Sequence, residues 1–192
     1  MIKNNKKKFQ YGDVFHIPVE DRYAYCQYTY SDITPPYYGD IIHVLPGIFD
    51  STIEELEPYI EQEAQFCVFT TLSTAVKPGL LTYDGNYSVP HSRNKFPLFK
   101  GGNEGIDGKT ISVWWLWDGE TECPIGQLKK SQYCLPNQVN SNLVSIVDKI
   151  KNGYRPEDDV TECTAGQPLP EKLKDKYRDQ ILKLAPYLFD EE

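Results

Sequence analysis

Long apolar runs are missing from this chain of 192 residues: none approaches the roughly 18 residues of a membrane span, and the first residues lack the apolar core of a secretion signal. Histidine is scarce, with three residues, and none of the five cysteines has a partner at the two-residue spacing typical of zinc sites. An odd number of cysteines also argues against a disulfide framework. We therefore expect a cytoplasmic protein with no membrane segment, no metal and no cofactor.

Basic residues are sparse beyond the first eight positions. Lys3, Lys6, Lys7 and Lys8 form a basic tail, and the rest of the chain holds 16 basic against 28 acidic residues, a net charge of −12. A negative field of this size repels phosphate backbones and attracts basic proteins. The composition thus disfavours nucleic acid as a partner and favours a basic protein.

Alternation of apolar and polar residues predicts the strands. A period near two indicates a twisted, mainly antiparallel sheet, open or barrel-like, within an α+β fold. Many turn residues interrupt 75–109, which we predict to be mostly loop. The predicted strands lie near 13–18, 23–30, 41–45, 65–70 and 110–117.

Three helices are predicted beside this sheet. Ser51-Thr-Ile-Glu54 has the form of a capping box, which predicts a helix over 52–63 that is short, kinked or restarted at Pro58. Later in the chain the apolar period changes to three and four residues. This change predicts helices near 138–151 and 170–185.

The length of the chain favours a single domain over residues 1–192, since domains of up to about 200 residues are common. We divide it into a flexible basic tail, a mostly β body and a helical C-terminal extension. These parts span 1–8, 9–120 and 121–192.

The clearest strand pattern is Thr110-Ile-Ser-Val-Trp-Trp-Leu-Trp117, which the turn pair Asp118-Gly119 closes. Ile111, Val113, Trp115 and Trp117 alternate and would form one apolar face. The pattern predicts that Trp115 is in the core.

Cysteine and histidine raise the possibility of a hydrolase. Cys26 or Cys67 would be the nucleophile, and one of the three histidines, His16, His43 or His91, the base. Cys67 sits in an apolar run, which favours an inert buried thiol, and a hydrogen-bonded role is the simpler interpretation of His16. A cysteine hydrolase remains one alternative function, and a structural or scaffold domain is another.

Three carboxylates, Asp118, Glu120 and Glu122, recur at every second position just after the best strand. Alternate positions of an extended segment share a face, where like charges cost stability unless solvent or a basic partner compensates them. A solvated rim is the simplest interpretation, and a contact for a basic partner is the functional one.

A phosphate-binding loop is suggested by the ending Gly108-Lys109-Thr110, but the rest of the pattern fails. Gly102 is one residue out of register, and a strand is predicted where such a loop needs a helix. We interpret this stretch as the turn of a hairpin, without a nucleotide.

The N-terminal hairpin carries a resemblance to a known family. Gly12-Asp-Val-Phe-His-Ile-Pro18, followed by Tyr23-Ala-Tyr-Cys26, resembles the first two strands of the immunity protein 26 family of bacterial polymorphic toxin systems. In that family the strands are similar to Gly-Asp-Val-Phe-any-Ile-Pro and Tyr-any-Tyr-Gly, and Cys26 replaces the glycine. The likeness extends over about residues 8–120, through Tyr38-Gly-Asp-Ile-Ile42 and Pro97-Leu-Phe99.

The resemblance implies a small, mostly β domain that binds the toxin encoded by a neighbouring gene and blocks its active site. It implies no enzymatic activity and transfers no catalytic residues, and toxin contacts differ between members of the family. Residues 123–192 match no pattern. The acidic trio Asp118, Glu120 and Glu122 is therefore our own prediction of a toxin-binding site.

Overall fold

The computed structural model describes residues 9–32, 37–76, 80–104, 111–161 and 164–184, and the side chains of these residues except 103, 104, 111 and 112. The basic tail 1–8 and the predicted hairpin turn 105–110 lie outside the described residues. In the described ranges the strands are β1 Asp13–Val19, β2 Arg22–Ser31, β3 Asp40–Val44, β4 Phe66–Thr70, β5 Thr82–Asn86, β6 Phe99–Glu104, β7 Ile111–Trp117 and β8 Glu122–Gly126. The α-helices are α1 Glu57–Ile60, α2 Leu72–Ala75, α3 Leu143–Lys151, α4 Glu171–Lys176 and α5 Arg178–Lys183.

These strands form two open antiparallel sheets, which confirms the α+β class. The first sheet has the order β4-β3-β2-β1-β5, and the second has the order β6-β7-β8. Each strand other than β5 pairs with a strand that is next to it in chain order. The prediction of one sheet that includes residues 110–117 was wrong, because β7 belongs to the second sheet.

The first sheet buries both of its faces. Its first face, which includes Phe15, Cys26 and Ile42, packs against Ile146 and Ile150 of α3. The second face is covered in two ways. The segment before and within α1 packs on Val14, Tyr25 and Leu45, and the second sheet packs on Ile41 and Phe69.

The helix predicted over 52–63 is reduced to the single turn α1, which begins beside Pro58. Before it the chain has no regular secondary structure, and Phe49 forms a bridge with Tyr23. The backbone N–H of Ile53 donates to the Tyr25 hydroxyl at 2.7 Å instead of joining a first helical turn. A tertiary hydrogen bond and burial of the segment thus override the capping-box pattern.

Three strands lie where none was predicted: β5 and β6 in the predicted loop, and β8 in the predicted helical extension. Their sequences contain glycine, proline or acidic residues, which intrinsically disfavour strands. Pairing with β1 and β7 supplies the hydrogen bonds that make them strands.

The two C-terminal helical predictions hold in part. Helix α3 begins at Leu143 rather than 138, because Asn142 caps it by accepting from the Ser145 N–H at 2.9 Å. The second prediction, 170–185, is divided into α4 and α5 at Tyr177, and its last residue lies outside the described residues.

The prediction for Trp115 was wrong. Trp114 and Leu116 are buried against β8 and α5, whereas Trp115 is only half-buried. The Trp115 indole lies over Gly101, where a Cβ would come within 2.4 Å of its Nε1, and it donates to Gln138 Oε1 at 2.6 Å. Because the second sheet is covered on both faces, alternation alone does not identify the more buried one.

Candidate functional site

The acidic trio lies at the turn between β7 and β8. The Asp118 Oδ1 accepts hydrogen bonds from the N–H groups of Glu120, at 3.0 Å, and Thr121, at 2.7 Å. Glu120 and Glu122 are exposed. The structure therefore brings the three residues to one turn, but Asp118 shapes the turn while the two glutamates are available to a partner.

Aromatic side chains connect this turn to the first sheet. Gly119 has a φ of +96°, and a Cβ there would lie 3.0 Å from the Phe96 ring, so the turn is seated directly on that ring. The Phe96 ring centroid lies 5.1 Å from that of Trp117 and 5.1 Å from that of Tyr30. The acidic turn and the end of β2 thus belong to one continuous surface.

Two tyrosines extend this surface. Tyr11 is 56% exposed, and its ring stacks on that of Tyr30 with 6.0 Å between centroids and 15° between planes. The Tyr11 ring also lies 5.2 Å from that of Tyr28, which is buried. A register shift between Tyr28 and Tyr30 in the pairing with β3 accompanies this arrangement.

Carboxylates lie close to the phenols of the same region. Burial raises the pKa of Tyr38, and the negative charges of Glu122 and Asp32 raise it further. Burial raises the pKa of Tyr28, with Asp40 as the next contribution. We define the tyrosine–acid surface as Tyr11, Tyr30, Tyr38, Phe96, Glu120 and Glu122.

Sequence analysis found the glutamates of this surface but missed its aromatic part. The only available signal was the abundance of tyrosine, 14 residues in the chain. Tyr11 and Tyr30 are 19 residues apart in the sequence, and their rings come into contact only when β1 and β2 pair.

A second feature is an open cleft of about 810 Å³ beside β3 and β4. Its lining includes the buried residues His43, Cys67 and Arg93, and also Arg155 and Glu157 from the segment that follows α3. His43 and Cys67 are directly opposite each other in the β3–β4 pairing. The structure therefore brings together one of the predicted cysteine–histidine combinations.

The chemistry of this pair does not favour a nucleophile. His43 forms a hydrogen bond between Nδ1 and the Thr29 hydroxyl at 2.9 Å. Burial, aided by the charge of Arg93, lowers the pKa of His43 to about 3, and burial raises the pKa of Cys67 to about 12. Both groups are neutral at neutral pH, whereas a cysteine nucleophile must be a thiolate.

The other combinations are not assembled. Cys26 lies in the core on the first face of the sheet, where burial raises the pKa of its thiol. His16 pairs with Tyr25 rather than Cys26 in the register, and its Nδ1 lies 2.8 Å from the Asp84 carboxylate. His91 is exposed and contacts Asn94.

Two further properties concern the described part of the chain alone. Its His, Cys, Asp and Glu side chains form no group of three or more that could hold a metal ion. No helix within it has the length and apolar character needed to cross a membrane.

Comparison of the chain with protein-family models, with curated proteins and with solved structures finds no match.

Proposed function

We propose that this protein is an immunity protein, which binds a toxin encoded by a neighbouring gene in the cytoplasm and covers its active site, without catalysis of its own. The observation that carries the proposal is the tyrosine–acid surface. Tyrosine rings provide large contact area at a low cost in side-chain entropy, and carboxylates steer a basic partner toward them. Neither a membrane nor a nucleic acid is needed for this function.

The local geometry suits such a role. Asp118 holds the β7–β8 turn through two hydrogen bonds, so Glu120 and Glu122 are presented from an ordered position next to the Phe96 ring. Preorganised groups lose less entropy on binding than mobile ones. A protein interface of standard size covers about 800 Å² on each partner, which this surface and its surroundings could supply.

The resemblance of the N-terminal hairpin to the immunity protein 26 family adds support of a different kind. In this chain the Gly12-Asp13 pair of that pattern has a structural role: Asp13 accepts from the Gln10 N–H and the Asn86 side chain, each at 2.9 Å. The pattern therefore supports a shared scaffold. The binding function is argued from the tyrosine–acid surface instead.

A direct test measures the association rate with the toxin of the neighbouring gene. We expect Glu120→Lys with Glu122→Lys to slow association about tenfold, and the wild-type rate to fall as salt rises, since exposed charges are screened beyond about 8 Å at physiological ionic strength. Asp118 is left unchanged because its replacement would open the turn. If all three acids were reversed, a slower association could come either from lost steering or from a disturbed turn.

The matched control reverses the same number of charges elsewhere. Glu54 and Glu55 are exposed and lie on the segment over the Tyr25 end of β2, away from Tyr30. Glu54→Lys with Glu55→Lys should slow association far less. If both pairs of substitutions slow association equally, the effect comes from net charge rather than from this surface. If the association rate changes neither with salt nor with either pair, electrostatic steering is rejected.

Tyrosine supplies the second test. Tyr30 and Tyr83 are 36% and 37% exposed, but Tyr83 is in the edge strand β5 and contacts Phe15 rather than Phe96. We expect Tyr30→Ala to weaken the complex at least tenfold, as at interface hot spots, and Tyr83→Ala to have little effect. No binding of the wild-type protein to that toxin would reject the proposed function itself.

A further inference from the structure

The cleft beside β3 and β4 contains a buried cation whose hydrogen bonds are not all satisfied. Arg93 is 5% exposed, and its Nη2 donates to the backbone carbonyl of Ile60. Its Nε and Nη1 are buried and have no hydrogen-bond partner. Among the described residues no carboxylate lies within ion-pair distance of Arg93; burial lowers its pKa, and the charge of the exposed Glu61 offsets part of that lowering. Leaving buried donors of a charged group unpaired is costly, so a bound group is expected to serve them.

The surroundings of Arg93 fit an acceptor from solution. His43 lines the same cleft and is close enough for the Arg93 charge to lower its pKa. The exposed residues Ser92 and Arg155 line the cleft too and offer further donors. A volume of about 810 Å³ lies in the range, roughly 300 to 1,000 Å³, of sites for small molecules.

Two carboxylates of the lining oppose an anion. Glu63 is exposed and Glu157 is half-buried. Their charges are expected to weaken the binding of a simple inorganic anion. They favour a ligand whose negative group contacts Arg93 and whose remaining part is neutral or positive.

We propose that this cleft binds a small molecule through a phosphate or carboxylate group that accepts hydrogen bonds from Arg93. The site is separate from the tyrosine–acid surface and does not depend on the proposed immunity function. Charge-assisted hydrogen bonds from arginine to such oxyanions are among the strongest in proteins. With inorganic anions alone we expect dissociation constants in the millimolar range, about 1 mM or weaker.

The experiment observes the unpaired donor itself. The chain has four arginines, Arg22, Arg93, Arg155 and Arg178, so their Nε–H signals can be resolved in ¹H–¹⁵N spectra. The intact protein is titrated separately with inorganic phosphate and with acetate, at constant ionic strength maintained with chloride. Arg22 and Arg178 are exposed and serve as internal references. We expect a saturable shift of the Arg93 signal that the references do not share.

The two titrations distinguish the source of the oxyanion. Saturation with phosphate alone identifies a phosphate ligand, saturation with acetate alone a carboxylate, and saturation with both a site for either group. If neither anion moves the Arg93 signal beyond the shift of the references, the proposal is overturned and buried water serves the two donors. Arg93→Gln should abolish the heat of binding in calorimetry. Should that variant fail to fold, the titration of the wild-type protein still decides.

Discussion

The two faces of the first sheet differ in how they are covered. The first face is mainly apolar and packs on α3, which presents Ile146 and Ile150, and on Leu72 and Ala75 of α2. The second face changes along its length, from the α1 segment over Tyr25, past the polar cleft at His43 and Cys67, to the aromatic contact with the second sheet at Phe69. Both surfaces for which we propose a function lie on or beside the second face.

This difference reflects how a sheet face is closed. The first face is covered by α3 together with α2, whereas the two separate covers of the second face leave a gap between them that polar residues line. Gln27, His43 and Cys67 occupy one cross-strand row, of which His43 and Cys67 line this gap. The first face therefore stabilises the fold, and both surfaces at which we propose binding lie on or beside the second face.

The largest effect is expected where the second face meets the second sheet. Phe69 is fully buried and stacks on Phe99 with 4.4 Å between ring centroids. Phe69→Ala should lower the free energy of unfolding by about 3 to 5 kcal/mol, through lost burial and a cavity. Urea denaturation measures this value.

Trp115→Ala is the comparison for that variant, because Trp115 is half-buried and its ring lies over Gly101. It should cost less than half as much as Phe69→Ala. If Trp115→Ala lowers the free energy of unfolding as much as Phe69→Ala or more, the alternating sequence pattern identified the core of the second sheet correctly.

The next effect concerns pH and the polar gap. His43 has a pKa of about 3 in the folded protein, against 6.5 ordinarily. Between these values the unfolded chain binds a proton that the folded chain does not, so stability is full above about pH 6.5 and falls as the pH drops toward 3. His43→Gln should remove part of this slope, on the order of a few kcal/mol over the window. Denaturation at a series of pH values measures it.

His91→Gln is the control for this experiment, since His91 is exposed in the folded chain. This variant should keep the wild-type slope. A His43→Gln variant with an unchanged slope would show that His43 is protonated in the folded protein, and would place solvent at the gap.

The smallest effect is a difference in thiol reactivity between the two faces. Cys134 is exposed, Cys67 lies at the cleft with a pKa of about 12, and Cys26 is fully buried on the first face. Iodoacetamide followed by mass spectrometry should modify Cys134 first, Cys67 more slowly and Cys26 last. Rapid modification of Cys67 at neutral pH would instead support the alternative function, a cysteine hydrolase.

The elements that could be predicted are those whose own residues show the apolar pattern of a strand. The strands β1 to β4 and β7 and the α+β class could be predicted, because most of their residues follow the alternating or continuous apolar pattern of a strand. The strands β5 and β8 could not, since glycine and proline within them hide the signal until a partner strand supplies hydrogen bonds. The acidic trio could be proposed from the sequence because its three members lie within five residues.

The sequence by itself determined the negative charge of the body, the strands β1 to β4 and β7, and the position of Glu120 and Glu122 next to the turn pair Asp118-Gly119. The net charge follows from composition alone, and the other properties follow from patterns within a few neighbouring residues. Only the tertiary structure decided that Tyr11 stacks on Tyr30, and that Arg93 is buried with unpaired donors. Each of these requires segments distant in sequence to pack together, and the free energy that selects one packing belongs to the whole core rather than to any single stretch.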